Sequence, residues 1–179
     1  MFRTSVIDAT IKKLKAQLAN LLTMINLFLG GFSIIYTLQG ELNISVFFIF
    51  MAALLDRFDG IVARKLKTES DLGKQLDSMS DIISFGVAPA LLLYEGIIHG
   101  FATPGIFFTI FYIGCGAFRL ARFNISESNG YFTGLPITAA GCILTLMYLM
   151  NPIIPPQLYM FFLVILSFLM VSQFTIKKI

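Results

Sequence analysis

Apolar runs of roughly twenty residues follow one another along the chain, and the polar residues inside them recur at helical spacing. Residues 5–16 differ: Ile7, Ile11 and Leu14 fall on one side and Asp8, Lys12, Lys13 and Lys15 on the other, which predicts a basic amphipathic helix lying on a membrane surface. Six membrane spans are then predicted at about 18–38, 44–66, 71–98, 104–122, 134–150 and 157–176. The first is too long for the apolar core of a signal peptide, about 7–15 residues, and is read as a retained span. Pro89 predicts a kink in the third, and three prolines mark the 151–157 loop.

Composition agrees. The 179 residues are 57% hydrophobic and 13% charged, with a mean hydropathy of +0.84, whereas a soluble domain carries about 25% charged residues. The expected fold is an all-α integral membrane protein, one domain over residues 1–179. With six alternating spans, all 13 Lys and Arg lie at or towards one side, which the positive-inside rule makes cytosolic. Both termini are then cytosolic in a multi-pass protein of the cytoplasmic membrane, and no nucleic-acid partner is expected. Glu41, Glu95 and His99 fall towards the other side. Cys115 and Cys142 lie in apolar segments without metal-binding spacing and read as small core residues.

One stretch breaks the apolar pattern. Residues 56–81 read D-x-x-D-G-x-x-A-R, eight residues, then G-x-x-x-D-x-x-x-D. Asp56, Asp59, Gly60 and Ala63 share one helical face, as do Gly73, Asp77 and Asp81. Four carboxylates inside otherwise apolar helices require counter-charge, and two divalent cations, Mg²⁺ or Mn²⁺, satisfy hard oxygen donors at this density. Gly60 and Gly73 allow close backbone approach of a phosphate, and Arg64 offers a two-pronged donor. No Walker loop or G-x-G-x-x-G is present, so phosphate recognition falls to the metals. A diphosphate-containing substrate suits such a pocket, with Asp81, deepest on its helix, able to take a proton from an attacking hydroxyl. A divalent-cation transporter is a weaker reading, because the last two spans carry no ionisable side chain before Lys177.

The stretch DRFDGIVARKLKTESDLGKQLDSMSD resembles, at every defining position, the signature of the CDP-alcohol phosphatidyltransferases. That resemblance extends to the six-span plan and implies transfer of a phosphatidyl group from CDP-diacylglycerol to an alcohol, releasing CMP, in a homodimer embedded in membrane lipid. It implies Asp56, Asp59, Asp77 and Asp81 as metal ligands, with Asp81 also the general base. Gly60, Arg64 and Gly73 would contact the CDP moiety, with Asn20 and Thr23 of the first span nearby.

SFGVAPALL at 84–92, FRLARFN at 118–124 and GLP at 134–136 are similar to the serine-using, bacterial and archaeal branch of the family. L-Serine brings a carboxylate as well as a hydroxyl, so Arg119 and Arg122, with Asn124 beside them, are its expected partners. Glycerol 3-phosphate or an inositol phosphate is the alternative acceptor, but its phosphate would call for more cationic groups than these two. On the metal reading, EDTA is expected to abolish turnover and added Mn²⁺ or Mg²⁺ to restore it; full activity in metal-free buffer would eliminate the metal site.

Overall fold

Six helices run through the described residues: α1 (Phe2–Leu38), α2 (Leu42–Leu66), α3 (Asp71–Phe101), α4 (Thr103–Ile125), α5 (Ile137–Leu149) and α6 (Pro156–Val171). The computed structural model describes residues 2–66, 70–125 and 131–177; the side chains of 2–16, 18, 19, 59, 62–66, 131–133 and 175–177 lie outside that description. Among the described residues, Asn20–Leu38, Asp71–Phe101 and Thr103–Ile125 are long and apolar enough to cross a membrane, while α5 and α6 are apolar but shorter.

The predicted boundary between a surface helix at 5–16 and a span at 18–38 does not occur as a break, since α1 is continuous. The fifth and sixth helices are also shorter than predicted. Gly134 takes a positive φ of 71° and Pro136 caps α5, so helix cannot begin before Ile137. At the other end α6 stops at Val171, and Thr175 and Ile176, placed within the predicted span, belong to a strand instead. Tyr131–Thr133 (β1) and Thr175–Lys177 (β2) pair antiparallel, with Phe132 opposite Ile176.

Polarity is distributed inside out. Phe28, Phe32, Phe47, Phe107, Phe161 and Phe168 are exposed on the bundle's flank, whereas Ser33, Ser45, Ser80, Ser84, Thr109, Thr145 and Ser167 are buried. An apolar solvent reverses the usual preference, provided that each enclosed hydroxyl finds an acceptor. Thr109, Thr145 and Ser167 bond the carbonyl one turn back, of Gly105, Gly141 and Leu163. Ser33 and Thr37 of α1 both reach Ser45 of α2, at 2.8 and 2.7 Å. These contacts set α1 and α2 antiparallel.

The predicted disturbance at Pro89 takes a particular form. Pro89 has no N–H for the Phe85 carbonyl and its ring would crowd that oxygen in a regular α-helix. The chain widens into π-helical turns at Ile82–Val87 just before it, and Tyr112 of α4 donates its hydroxyl to the Phe85 carbonyl at 3.2 Å. A helical irregularity thus becomes a tie between α3 and α4, immediately beyond Asp81.

α1 and α3 pack almost backbone to backbone: a Cβ at Gly30 would lie 2.9 Å from Cα of Ser84. Gly30→Ala is expected to cost about 1–3 kcal/mol through overpacking. Gly31, where an added Cβ meets nothing within 4 Å, is the control: Gly31→Ala should leave stability unchanged or raise it by about 0.5–1 kcal/mol. Thermal unfolding in detergent separates the two, and equal midpoints would contradict the close contact.

Candidate active site

The acidic motif is split between two helices joined by a short turn. Ser70 starts α3 by accepting a hydrogen bond from the Gly73 amide at 3.0 Å. From there Asp77 and Asp81 follow one turn apart on one face. Ser80 and Ser84, on a neighbouring face, donate to the α1 carbonyls of Thr23 and Asn26 at 3.2 and 3.1 Å, which fixes α3 rotationally. With α3 held in this way, its acids meet Asp56 of α2. Carboxylate oxygens of Asp56, Asp77 and Asp81 all lie within 4.8 Å of one another.

Asp56 also comes within hydrogen-bonding reach of Asp81 and of the Thr138 hydroxyl, in the first turn of α5. Cys142, one turn further along α5, lies near Asp56 as well. Arg119 of α4 is buried and within electrostatic reach of Asp81. Its Nε finds no hydrogen-bond partner among the described residues. The donor set fits a divalent cation: hard carboxylate oxygens are grouped more closely than like charges tolerate without counter-charge.

Arg122, one turn beyond Arg119, has a different task. Its two terminal nitrogens donate to the carbonyls of Val171 and Ser172 at 2.8 and 3.1 Å. Those carbonyls end α6 and have no intrahelical partner, and the guanidinium charge also complements the helix dipole there. Leu135 N–H bonds the Leu169 carbonyl at 3.0 Å and Gly134 N–H the Phe174 carbonyl at 2.9 Å. The end of α6 therefore anchors both α4 and the segment that launches α5.

Beside this geometry stands the sequence relationship. A model of the CDP-alcohol phosphatidyltransferases matches residues 16–173, nearly the whole chain and all of the acidic motif. The chain belongs to the CDP-alcohol phosphatidyltransferase family. Among its relatives in that family, the CDP-diacylglycerol–serine O-phosphatidyltransferase of Bacillus subtilis is 40% identical over 136 residues, 75% of this chain and 77% of the relative. The protein of the same description from Helicobacter pylori is 37% identical over 163 residues, 86% of this chain and 69% of the relative. The archaetidylserine synthase of Methanothermobacter thermautotrophicus is 41% identical over 135 residues, covering 74% and 58%.

The family motif is thus partly assembled before any ligand is considered. Of the predicted metal ligands, three converge, and the side chain of Asp59 lies outside the described residues, as does that of Arg64. Asn20 and Gly73 are brought together: a Cβ at Gly73 would sit 3.1 Å from the Ser70 Oγ and 3.2 Å from the Asn20 Oδ1, so a side chain there would make both neighbours give by a few tenths of an ångström. Thr23 is buried one turn deeper, and Gly60 is half-buried on α2. Asn124 exchanges hydrogen bonds with Ser78, at 3.0 and 3.2 Å, tying the end of α4 to α3 beside Asp77. Thr138 and Cys142 were not anticipated; the only signal was that Thr138 closely follows Gly-Leu-Pro.

Arg122→Ala should cost about 1.5–3 kcal/mol, the range for hydrogen bonds to a charged group. It is read as a lower unfolding midpoint in detergent. An unchanged midpoint would show that the end of α6 does not depend on Arg122.

Proposed function

We infer that the protein transfers the phosphatidyl group of CDP-diacylglycerol to the hydroxyl of L-serine, forming phosphatidylserine and CMP. One observation carries the reading: the family's acidic motif folds into a carboxylate cluster, in a chain whose relatives are named for the serine reaction. The enzyme works in a membrane, in keeping with its exposed apolar flanks. We take the remaining arrangement from the sequence: six spans, residues 5–16 on the cytosolic surface, a cytosolic active site and a homodimer.

Asp56, Asp59, Asp77 and Asp81 would hold two divalent cations, Mg²⁺ or Mn²⁺. Such cations neutralise charge on the diphosphate and acidify the attacking hydroxyl. The chain's own groups do the rest. Gly60, Arg64 and Gly73, with Asn20 and Thr23, receive the CDP moiety. The serine hydroxyl attacks the β-phosphorus, which bears diacylglycerol; the bond from that phosphorus to the oxygen of the CMP phosphate breaks, and Asp81 accepts the hydroxyl proton. The crowding of Asn20 against Gly73 supports a nucleotide-facing role for both.

For the serine carboxylate, the two arginines are no longer equivalent. Arg122 is committed to the end of α6, whereas buried Arg119 retains donor capacity beside Asp81. Arg119 is therefore the carboxylate partner, placed where the acceptor's hydroxyl could reach the base, and Asn124 lies at the edge through Ser78. Arg119→Ala is expected to raise the KM for serine by the equivalent of about 1.5–3 kcal/mol, with that for CDP-diacylglycerol little changed. An unaltered KM for serine in Arg119→Ala would put the acceptor site elsewhere.

The deciding assay offers CDP-diacylglycerol with serine, glycerol 3-phosphate or inositol phosphate separately and follows CMP release. Serine alone should support it; release with a phosphorylated alcohol instead would overturn the acceptor assignment. In the same assay Asp81→Asn should lower turnover by about 10²–10⁴-fold while retaining CDP-diacylglycerol binding with metal present. Near-parental turnover, or loss of nucleotide binding as complete as in Asp59→Asn, would leave Asp81 as a ligand only.

A further inference from the structure

Asn26 of α1 is completely enclosed, and neither its carboxamide oxygen nor its nitrogen has a hydrogen-bond partner among the described residues. The buried hydroxyls of α1, α2 and α3 do not share this condition, since Ser33, Thr37, Ser45, Ser80 and Ser84 are all bonded. An enclosed amide with nothing to bond is costly where no water can reach it.

Two registers locate it. Ser80 bonds the Thr23 carbonyl and Ser84 the Asn26 carbonyl, so α1 and α3 run parallel here. A helical side chain leans back towards the N-terminus of its helix, which brings the Asn26 amide towards the level of Ser80 and Asp81. The antiparallel register with α2, fixed by Ser33 and Thr37 on Ser45, brings position 26 opposite the turn from Ala52 to Asp56. Asp56 and Asp81 come together at this level.

We propose that Asn26 is a positioning residue of the ion site: once divalent cations occupy the carboxylate cluster, its NH₂ donates to a carboxylate oxygen of Asp56 or Asp81 that the cation leaves uncovered. That bond holds the carboxylate in its ligating orientation. The proposal rests on the reading of the cluster as a cation site. Residue type supports it. A lysine or arginine here would compete with the cations, and an aspartate would add to the repulsion. A serine or threonine would offer one donor on a shorter side chain, with the carbonyl one turn back as a competing acceptor, as at Thr109, Thr145 and Ser167. Asparagine supplies neutral donors that stay available.

The test uses the full chain in detergent without lipid substrate, titrated with Mn²⁺ and followed by electron paramagnetic resonance. Asn26→Leu, close in volume, should weaken Mn²⁺ binding by about 10–100-fold, the usual effect of removing a group that orients a ligand. The same variant should unfold at a higher temperature than the parent without metal, because the unbonded amide is gone, and should gain less from saturating Mn²⁺. Asn26→Ser, which remains polar but carries a shorter side chain with a single donor, should lose Mn²⁺ affinity to a similar degree. Parental Mn²⁺ affinity in either variant overturns the proposal, as does a drop in metal-free unfolding temperature with affinity intact, the mark of a purely structural residue. A parental protein that binds no Mn²⁺ overturns the cation site itself and this proposal with it, a result distinct from a defect confined to the variants.

Discussion

Asp56, Asp77 and Asp81 gather like charges within 4.8 Å in a bundle whose outer surface is hydrocarbon-like. Arg119 lies within electrostatic reach of Asp81, but one cation does not balance three carboxylates, so the arrangement persists only if the helices carrying the acids are held by other contacts. The described hydrogen bonds serve that end. Ser80 and Ser84 lock α3 to α1, Tyr112 locks it to α4, and Ser45 locks α2 to α1. Each uses a hydroxyl on a helix backbone or on another hydroxyl, a device suited to a medium in which hydrophobic burial offers little drive for helices to associate. Rigidity around the acids, rather than attraction between them, is what makes a cation site possible.

The division of labour between Arg119 and Arg122 follows from the same economy of polar groups. Every donor inside the bundle has to answer for some acceptor, and helix ends are where acceptors are left over. Arg122 meets the leftover carbonyls of Val171 and Ser172. Arg119 faces the acids instead, its Nε without an acceptor among the described residues. One arginine closing a helix end and one facing the acids are thus separated by a single helical turn.

Much of this was legible beforehand, for definite reasons. Carboxylates in apolar helices stand out against their background, and their spacing puts each set on one face of its own helix. Helices were predictable because apolar runs of this length have few alternatives. What escaped depended on partners distant in sequence. Arg119 and Arg122 are only about 60° apart around their helix, so periodicity assigns them alike; the position at which α6 ends distinguishes them. The strand at Thr175–Lys177 overlaps the last two residues of the predicted sixth span, although threonine and isoleucine favour strands. Thr138 carries no hydropathic signal and becomes interesting only once α5 is known to start beside Asp56.

The end of α6 holds Arg122 from α4 and Leu135 from the segment before α5, while Phe174 just beyond it receives Gly134. In chain order, α2 and α3 are made early and α6 is the last of the six helices. The acids can therefore come together during synthesis while the wall carrying Arg119 and Thr138 still lacks its anchor. Closing that wall waits on α6, so the last of the six described helices in chain order is also the one that fixes the two before it.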